Sequence, residues 1–234
     1  MALSLNTRNL GDVTVVRCTG RVVAGPENES LRAHIYRLLP DGRDVILDLS
    51  EVVFIDSSGL GTLVRLLTSL RRIDGDLKLC KLPRDIYNVL KMTNLISLFD
   101  THVCEEDAIA AFYRRTTTSR RLNPASATVL CVDQSADVLA YVREVLRRAS
   151  YNVLTSSSVH DAMILIRAAR PGLLVVGPNL ASSAGTLESF RAVSAALPVV
   201  ELGDDFSTSD AGQAAAELLE KIRARLDSRS GVAS

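Results

Sequence analysis

Asp56, Ser57, Ser58, Gly59 and Gly61 stand together in FIDSSGLG (54–61), where an acid, two hydroxyls and two glycines follow an apolar pair. Apolar residues then recur at helical spacing: Leu60, Leu63, Val64, Leu67 and Leu70. The hydroxyls therefore lie at the mouth of a helix. Three kinds of chemistry suit that position. Asp56 or Ser57 can cap the helix, satisfying one orphan amide and contributing about 1 kcal/mol. A serine can be a catalytic nucleophile. A serine can also carry a phosphate, because free amides and roughly half a positive charge collect at a helix N-terminus.

Capping alone does not call for two glycines. Each costs roughly 0.5–1 kcal/mol against alanine inside a helix, so their presence implies that something approaches the backbone. A hydrolase elbow reads G-x-S-x-G. Here Ile55 stands two residues before Ser57 and Asp56 two before Ser58, so the leading glycine is missing either way. The chain has three histidines, His34, His102 and His160; the first lies in an expected helix and the last in the other half of the chain. A phosphoserine adds roughly −1.5 to −2 charges. The fold would survive that nearly unchanged, while the surface seen by a partner would gain repulsive charge. Gly59 and Gly61 would let the partner approach closely.

The bulk properties narrow the classes. The chain has 234 residues, 47% of them hydrophobic, and 27 basic against 27 acidic side chains. A neutral balance disfavours nucleic acid as a direct partner. Length favours one large or two small domains. Cys18, Cys80, Cys104 and Cys131 show no CxxC spacing, and all but Cys104 fall in strand-like stretches, so buried reduced thiols are expected rather than disulfides or a metal site. MALSLNTRNLG lacks the pattern of a signal peptide. No apolar run nears the ~20 residues that cross a bilayer. A soluble cytoplasmic protein without membrane contact is the expectation.

The elements that position FIDSSGLG alternate between two periods. Strands are expected at 11–22, 44–49 and 77–82, and helices at 27–39, from FIDSSGLG to about Asp74, and from Pro83. A short segment at 102–104 and a helix at 106–115 close this unit. Pro40-Asp41-Gly42 stops the first helix. TTTSRRLNPASA (116–127) is polar and hydroxyl-rich and reads as a linker. The second half repeats a shorter cycle: strands at 128–132, 152–156, 173–176 and 198–202, with intervening helices and a final helix at 210–226. The fold class is α/β, with helices packed on a sheet in the first domain (1–115) and a small doubly wound parallel sheet in the second (128–228).

Strand, then F-I-D-S-S-G-L-G, then amphipathic helix resembles the STAS domain of bacterial anti-sigma factor antagonists. The resemblance covers roughly residues 4–113 and includes Thr19-Gly20 and the D-L-S-x-V-x-F-I-D lead-in at 48–56. It implies a non-enzymatic partner-switching protein without cofactor or metal. Ser57, directly after the aspartate, would be phosphorylated by a serine-kinase anti-sigma factor of the GHKL ATPase type, and a serine phosphatase would reverse the step. Asp56 would orient the hydroxyl, and Ser58, Gly59, Leu60 and Gly61 would form the contact surface. Many relatives carry an acid where GRVV (20–23) places Val23. The competing reading is a scaffold in a signalling complex without Ser57 switching.

Residues 128–226 resemble a response-regulator receiver, a flavodoxin-like fold, stripped of its chemistry. A receiver holds a divalent cation on acids after its first strand, and such a cation wants several oxygen ligands. Here Asp133-Gln134 keeps one carboxylate. The resemblance puts Gly177 at the phosphoacceptor position and Gly203 at the hydroxyl position, and Lys221, the lone lysine of this half, lies in the last helix. The implied role is docking or scaffolding; a homodimer through this domain is one arrangement it allows.

Overall fold

The structure is a computed structural model that describes residues 2–39, 43–119, 127–203 and 211–230. The expected stop at Pro40-Asp41-Gly42 and most of the linker lie outside these residues. The chain divides into two compact units, Met1–Tyr113 and Arg114–Ser234.

The first unit is a five-stranded sheet in the order β1 (Ser4–Leu10), β2 (Val13–Val22), β3 (Asp44–Ile55), β4 (Asp76–Cys80) and β5 (Asp100–His102). β1 runs antiparallel to β2, and the other pairs are parallel. β1 is absent from the sequence reading. Its residues, SLNTRNL, are mostly polar and half-exposed at the sheet edge, so they lack a strong apolar alternation. A two-residue turn joins it to β2, with Gly11 at φ 62°.

α1 (Pro26–Leu38), α2 (Ser57–Arg71) and α3 (Arg84–Met92) bury Leu31, Ile35, Leu63, Leu66, Leu70, Ile86 and Leu90 against Val16, Leu47, Leu77 and Leu79 on one face of the sheet. Alternation turns Lys78 to the other face, where its ammonium lies 4.7 Å from the Phe112 ring of α4 (Glu105–Ser119). α4 also ties down the hairpin: Tyr113 Oη donates to the Leu10 carbonyl at 3.2 Å. It extends four residues past the boundary read at 115, because TTTS continues the helix instead of leaving it.

β3 is the element that delivers the site. Its first five residues pair with both β2 and β4, whereas Glu51–Ile55 pair with β2 alone. The strand therefore runs on past β4, alongside β2, and ends beside Val22. Gly20 lies inside β2. It sits at a register shift with φ 106°, a value that costs glycine little, and the strand continues to Val22.

The second unit is a four-stranded, all-parallel sheet in the order β7 (Asn152–Ser156), β6 (Thr128–Val132), β8 (Leu173–Val176) and β9 (Val199–Glu201). α5 (Ala136–Arg148) and α8 (Ala211–Ser230) share one apolar cluster with Val129, Cys131, Val175 and Val200. α6 (Val159–Ala169) and α7 (Ala184–Ser194) complete the unit. Helices between successive parallel strands are what the near-continuous apolar runs TVLCV and LLVV require, since such strands are covered on both faces.

Candidate functional site

The site forms where β2 and β3 end together. Asp56 is the N-cap of α2, with extended backbone at φ −96° and ψ 178°. Its amide donates to the Val22 carbonyl at 3.2 Å, and its own carbonyl accepts from Leu60 at 3.0 Å to start the helix. Its side chain accepts from the Gly59 amide at 2.7 Å and from the Ala24 amide at 2.9 Å. One carboxylate thus caps α2 and pins the segment that leads into α1. The Ala24 and Gly59 amides hold the Asp56 carboxyl below the usual carboxylate range, so it is ionised near neutrality.

That cap changes what the helix mouth can do. The Gly59 amide, which could otherwise help to cradle an anion, already faces the Asp56 carboxylate. A phosphate on Ser57 would also stand beside that negative charge. Arg21 is the cation that acts on Asp56, and its guanidinium carbon lies 5.1 Å from the centroid of the half-exposed Phe54 ring.

The two serines have different surroundings. Both are exposed. Ser58 Oγ accepts from Asn28 Nδ2 of α1 at 2.9 Å. The Ser57 hydroxyl has no hydrogen-bond partner among the described residues. The two Asp56 oxygens are turned to the Ala24 and Gly59 amides, and none of their hydrogen bonds reaches the Ser57 hydroxyl.

The two glycines also separate. Gly59 is buried, and a Cβ there would stand 2.3 Å from the Val22 carbonyl oxygen and 2.8 Å from Ile55 Cγ1. What comes close to its backbone is the chain's own strand β2. Gly61 has open space where its Cβ would be. Leu60 is 6% exposed and belongs to the core. The accessible part of the motif is therefore Ser57, Ser58 and the Gly61 surface, bordered by Phe54 and by Val53, which is 68% exposed.

Within the first unit neither histidine joins this group to make a nucleophile: His34 Nε2 is 2.6 Å from Thr7 Oγ1, and His102 Nε2 lies 3.1 Å from Asp100 Oδ1. Asn28, Ala24 and Val22 all matter here and were not singled out from sequence. Each acts across about thirty residues, and nothing in their local spacing marks them.

In the second unit, Asp133 is 1% exposed. Its carboxylate accepts from the Ser135 amide at 2.6 Å and the Asn179 amide at 3.0 Å, with the Asn179 side-chain amide at 3.3 Å. A Cβ on Gly177 would fall 1.9 Å from Asp133 Oδ2. Gly203 and Lys221 are exposed. Among the described residues no group of three His, Cys, Asp or Glu could hold a metal, and no helix is long and apolar enough to cross a membrane.

Residues 4–108 match the STAS domain family. Over 102 residues the chain is 31% identical to BtrV of Bordetella bronchiseptica, named as a candidate anti-sigma factor antagonist; the match covers 88% of BtrV and 43% of this chain. The chain belongs to the STAS family. Solved structures that resemble it include a candidate anti-sigma factor antagonist from Thermotoga maritima, 21% identical over 45% of this chain and 91% of that one, with a TM-score of 0.43. Another is the Bacillus cell fate determinant SpoIIAA in its phosphorylated form, 22% identical over 47% and 99%, with a TM-score of 0.39. All of these matches fall short of half the chain, and the STAS match itself ends at residue 108, before the second unit begins.

Proposed function

We propose that this STAS protein is an anti-sigma factor antagonist that works as a phospho-switch in the bacterial cytoplasm. Unmodified, it binds a serine-kinase anti-sigma factor of the GHKL ATPase type and so frees a sigma factor. Phosphorylated on Ser57, it lets go, and a serine phosphatase resets it. The observation that carries this reading is the Ser57 hydroxyl itself, exposed and unpartnered directly after a capping aspartate, while its neighbour Ser58 is engaged. The added charge stands next to ionised Asp56 and faces the partner, which is the geometry for repulsion. Ser57, Ser58 and Gly61, with Phe54 and Arg21 alongside, form the contact surface; Asp56, Gly59 and Leu60 shape it from beneath.

The test starts with a pull-down by the unphosphorylated full chain, sorted for partners with an ATPase domain. The captured kinase and ATP should then label Ser57, as mapped by mass spectrometry. Label elsewhere, or label undiminished in Ser57→Ala, overturns the reading. Ser57→Asp should weaken partner binding by more than Ser58→Asp does.

A second reading has its own support. Asp133 fills the space at Gly177, which supports reading the second unit as receiver-like with its acceptor position closed by the chain itself. Such a unit would serve as a docking or dimerisation module, and the whole protein as a scaffold. Equal partner binding by Ser57→Ala and Ser57→Asp would favour that reading over the switch.

A further inference from the structure

Asn28 stands out among the buried polar groups. It lies on the first turns of α1, is 8% exposed, and reaches across to α2 through a single hydrogen bond, Nδ2 to Ser58 Oγ at 2.9 Å. Its Oδ1 is buried without a partner. A buried amide with one satisfied end depends heavily on the bond it keeps, because losing it would leave the whole group desolvated and unpaired. With the amide turned the other way, Asn28 would accept from the Ser58 hydroxyl and leave its NH2 unpartnered. Either orientation holds Ser58 Oγ against α1.

We propose that Asn28 is a positioning residue that withdraws Ser58 from modification and leaves Ser57 as the reactive hydroxyl at the mouth of α2. For Ser58 to enter a kinase site its Oγ must leave Asn28, and that departure strips the buried amide of its one hydrogen bond. Ser57 meets no such obstacle. The choice between adjacent serines is thus made inside the substrate protein, by a residue thirty positions away. The kinase half of this inference rests on the switch proposed above; the structural half does not.

Two measurements on the full chain separate those halves. Phosphoserine installed genetically at position 58 should lower the thermal midpoint by about 4 °C or more, whereas at position 57 it should change it by less. In an Asn28→Ala background the extra penalty at 58 should shrink. A penalty at 58 no larger than at 57, or one untouched by Asn28→Ala, overturns the proposal whether or not any kinase acts on the chain. Second, with ATP and the kinase that labels the wild type, Asn28→Ala should raise the ratio of phosphate on Ser58 to that on Ser57 about tenfold, the change expected for one lost hydrogen bond to a buried group. The isosteric Asn28→Asp, which can still hold the Ser58 hydroxyl, should keep the ratio low. An unchanged ratio in Asn28→Ala sinks the inference and leaves the switch standing. A wild type that no ATPase partner labels sinks the switch, and the thermal comparison still decides the role of Asn28. Asn28→Ser, too short to reach Ser58, replaces Asn28→Ala if that variant does not fold.

Discussion

Gly59 and Gly61 stand two residues apart and behave oppositely under substitution. Gly59→Ala drives a methyl against the Val22 carbonyl oxygen, 2.3 Å away, and backbone cannot step aside as a flexible side chain can. It should destabilise the first unit by about 1–3 kcal/mol. Gly61→Ala meets open space. It should stabilise by about 0.5–1 kcal/mol through helix propensity alone. Urea denaturation of the two variants decides both. Thiol chemistry is settled at the same scale. Burial pushes the Cys18, Cys80 and Cys131 thiols up to about 12; it raises Cys104 too, but Cys104 alone of the four is partly exposed. A thiol reagent added to native protein at pH 8 should therefore modify Cys104 first and the other three only on unfolding.

Between elements, the sheet is closed onto α4 by charge. Asp48, at the point where β3 leaves β4, is fully buried and pairs with Lys81 at 3.0 Å and Arg17 at 3.5 Å; Lys81 in turn lies 3.8 Å from Glu105 of α4. Burial alone would raise the Asp48 carboxyl, but hydrogen bonds from Ser50 and Lys81 outweigh it and hold the carboxyl below the usual range. A lowered folded value means its contribution is complete above the unfolded value of about 3.9 and is lost as pH falls through the folded value. Stability should drop on that acid limb, and Asp48→Asn should flatten the drop while costing about 1–3 kcal/mol at neutral pH; denaturant midpoints between pH 2 and 7 test it. Most elements were legible from apolar spacing: α2 from its leucines, the parallel strands of the second unit from their apolar runs. The hairpin strand β1 was not, because an edge strand needs no apolar face. Within the site, the capping aspartate and the serines were visible in FIDSSGLG. The division of labour among them was not, because it depends on Val22, Ala24 and Asn28, which the fold alone brings near.

For the whole molecule, the two units invite separate tests. A chain ending at Ser119 contains every residue of the FIDSSGLG site and its supports. If the first unit carries the switch, this shortened chain should capture the ATPase partner as well as the full chain does in a side-by-side pull-down. In the second unit, Gly177→Ala should destabilise by about 1–3 kcal/mol, since its methyl would land on the Asp133 carboxylate. That contact also fixes an order of mutational events. Changes at 133 and 177 are not independent, as residues in direct contact rarely are. A chain seeking a larger side chain at 177 must first give up the carboxylate at 133, and with it the bonds that hold Ser135 and Asn179. Any single substitution that places a side chain at 177 while Asp133 is kept meets this clash, so the glycine is easy to retain and costly to replace.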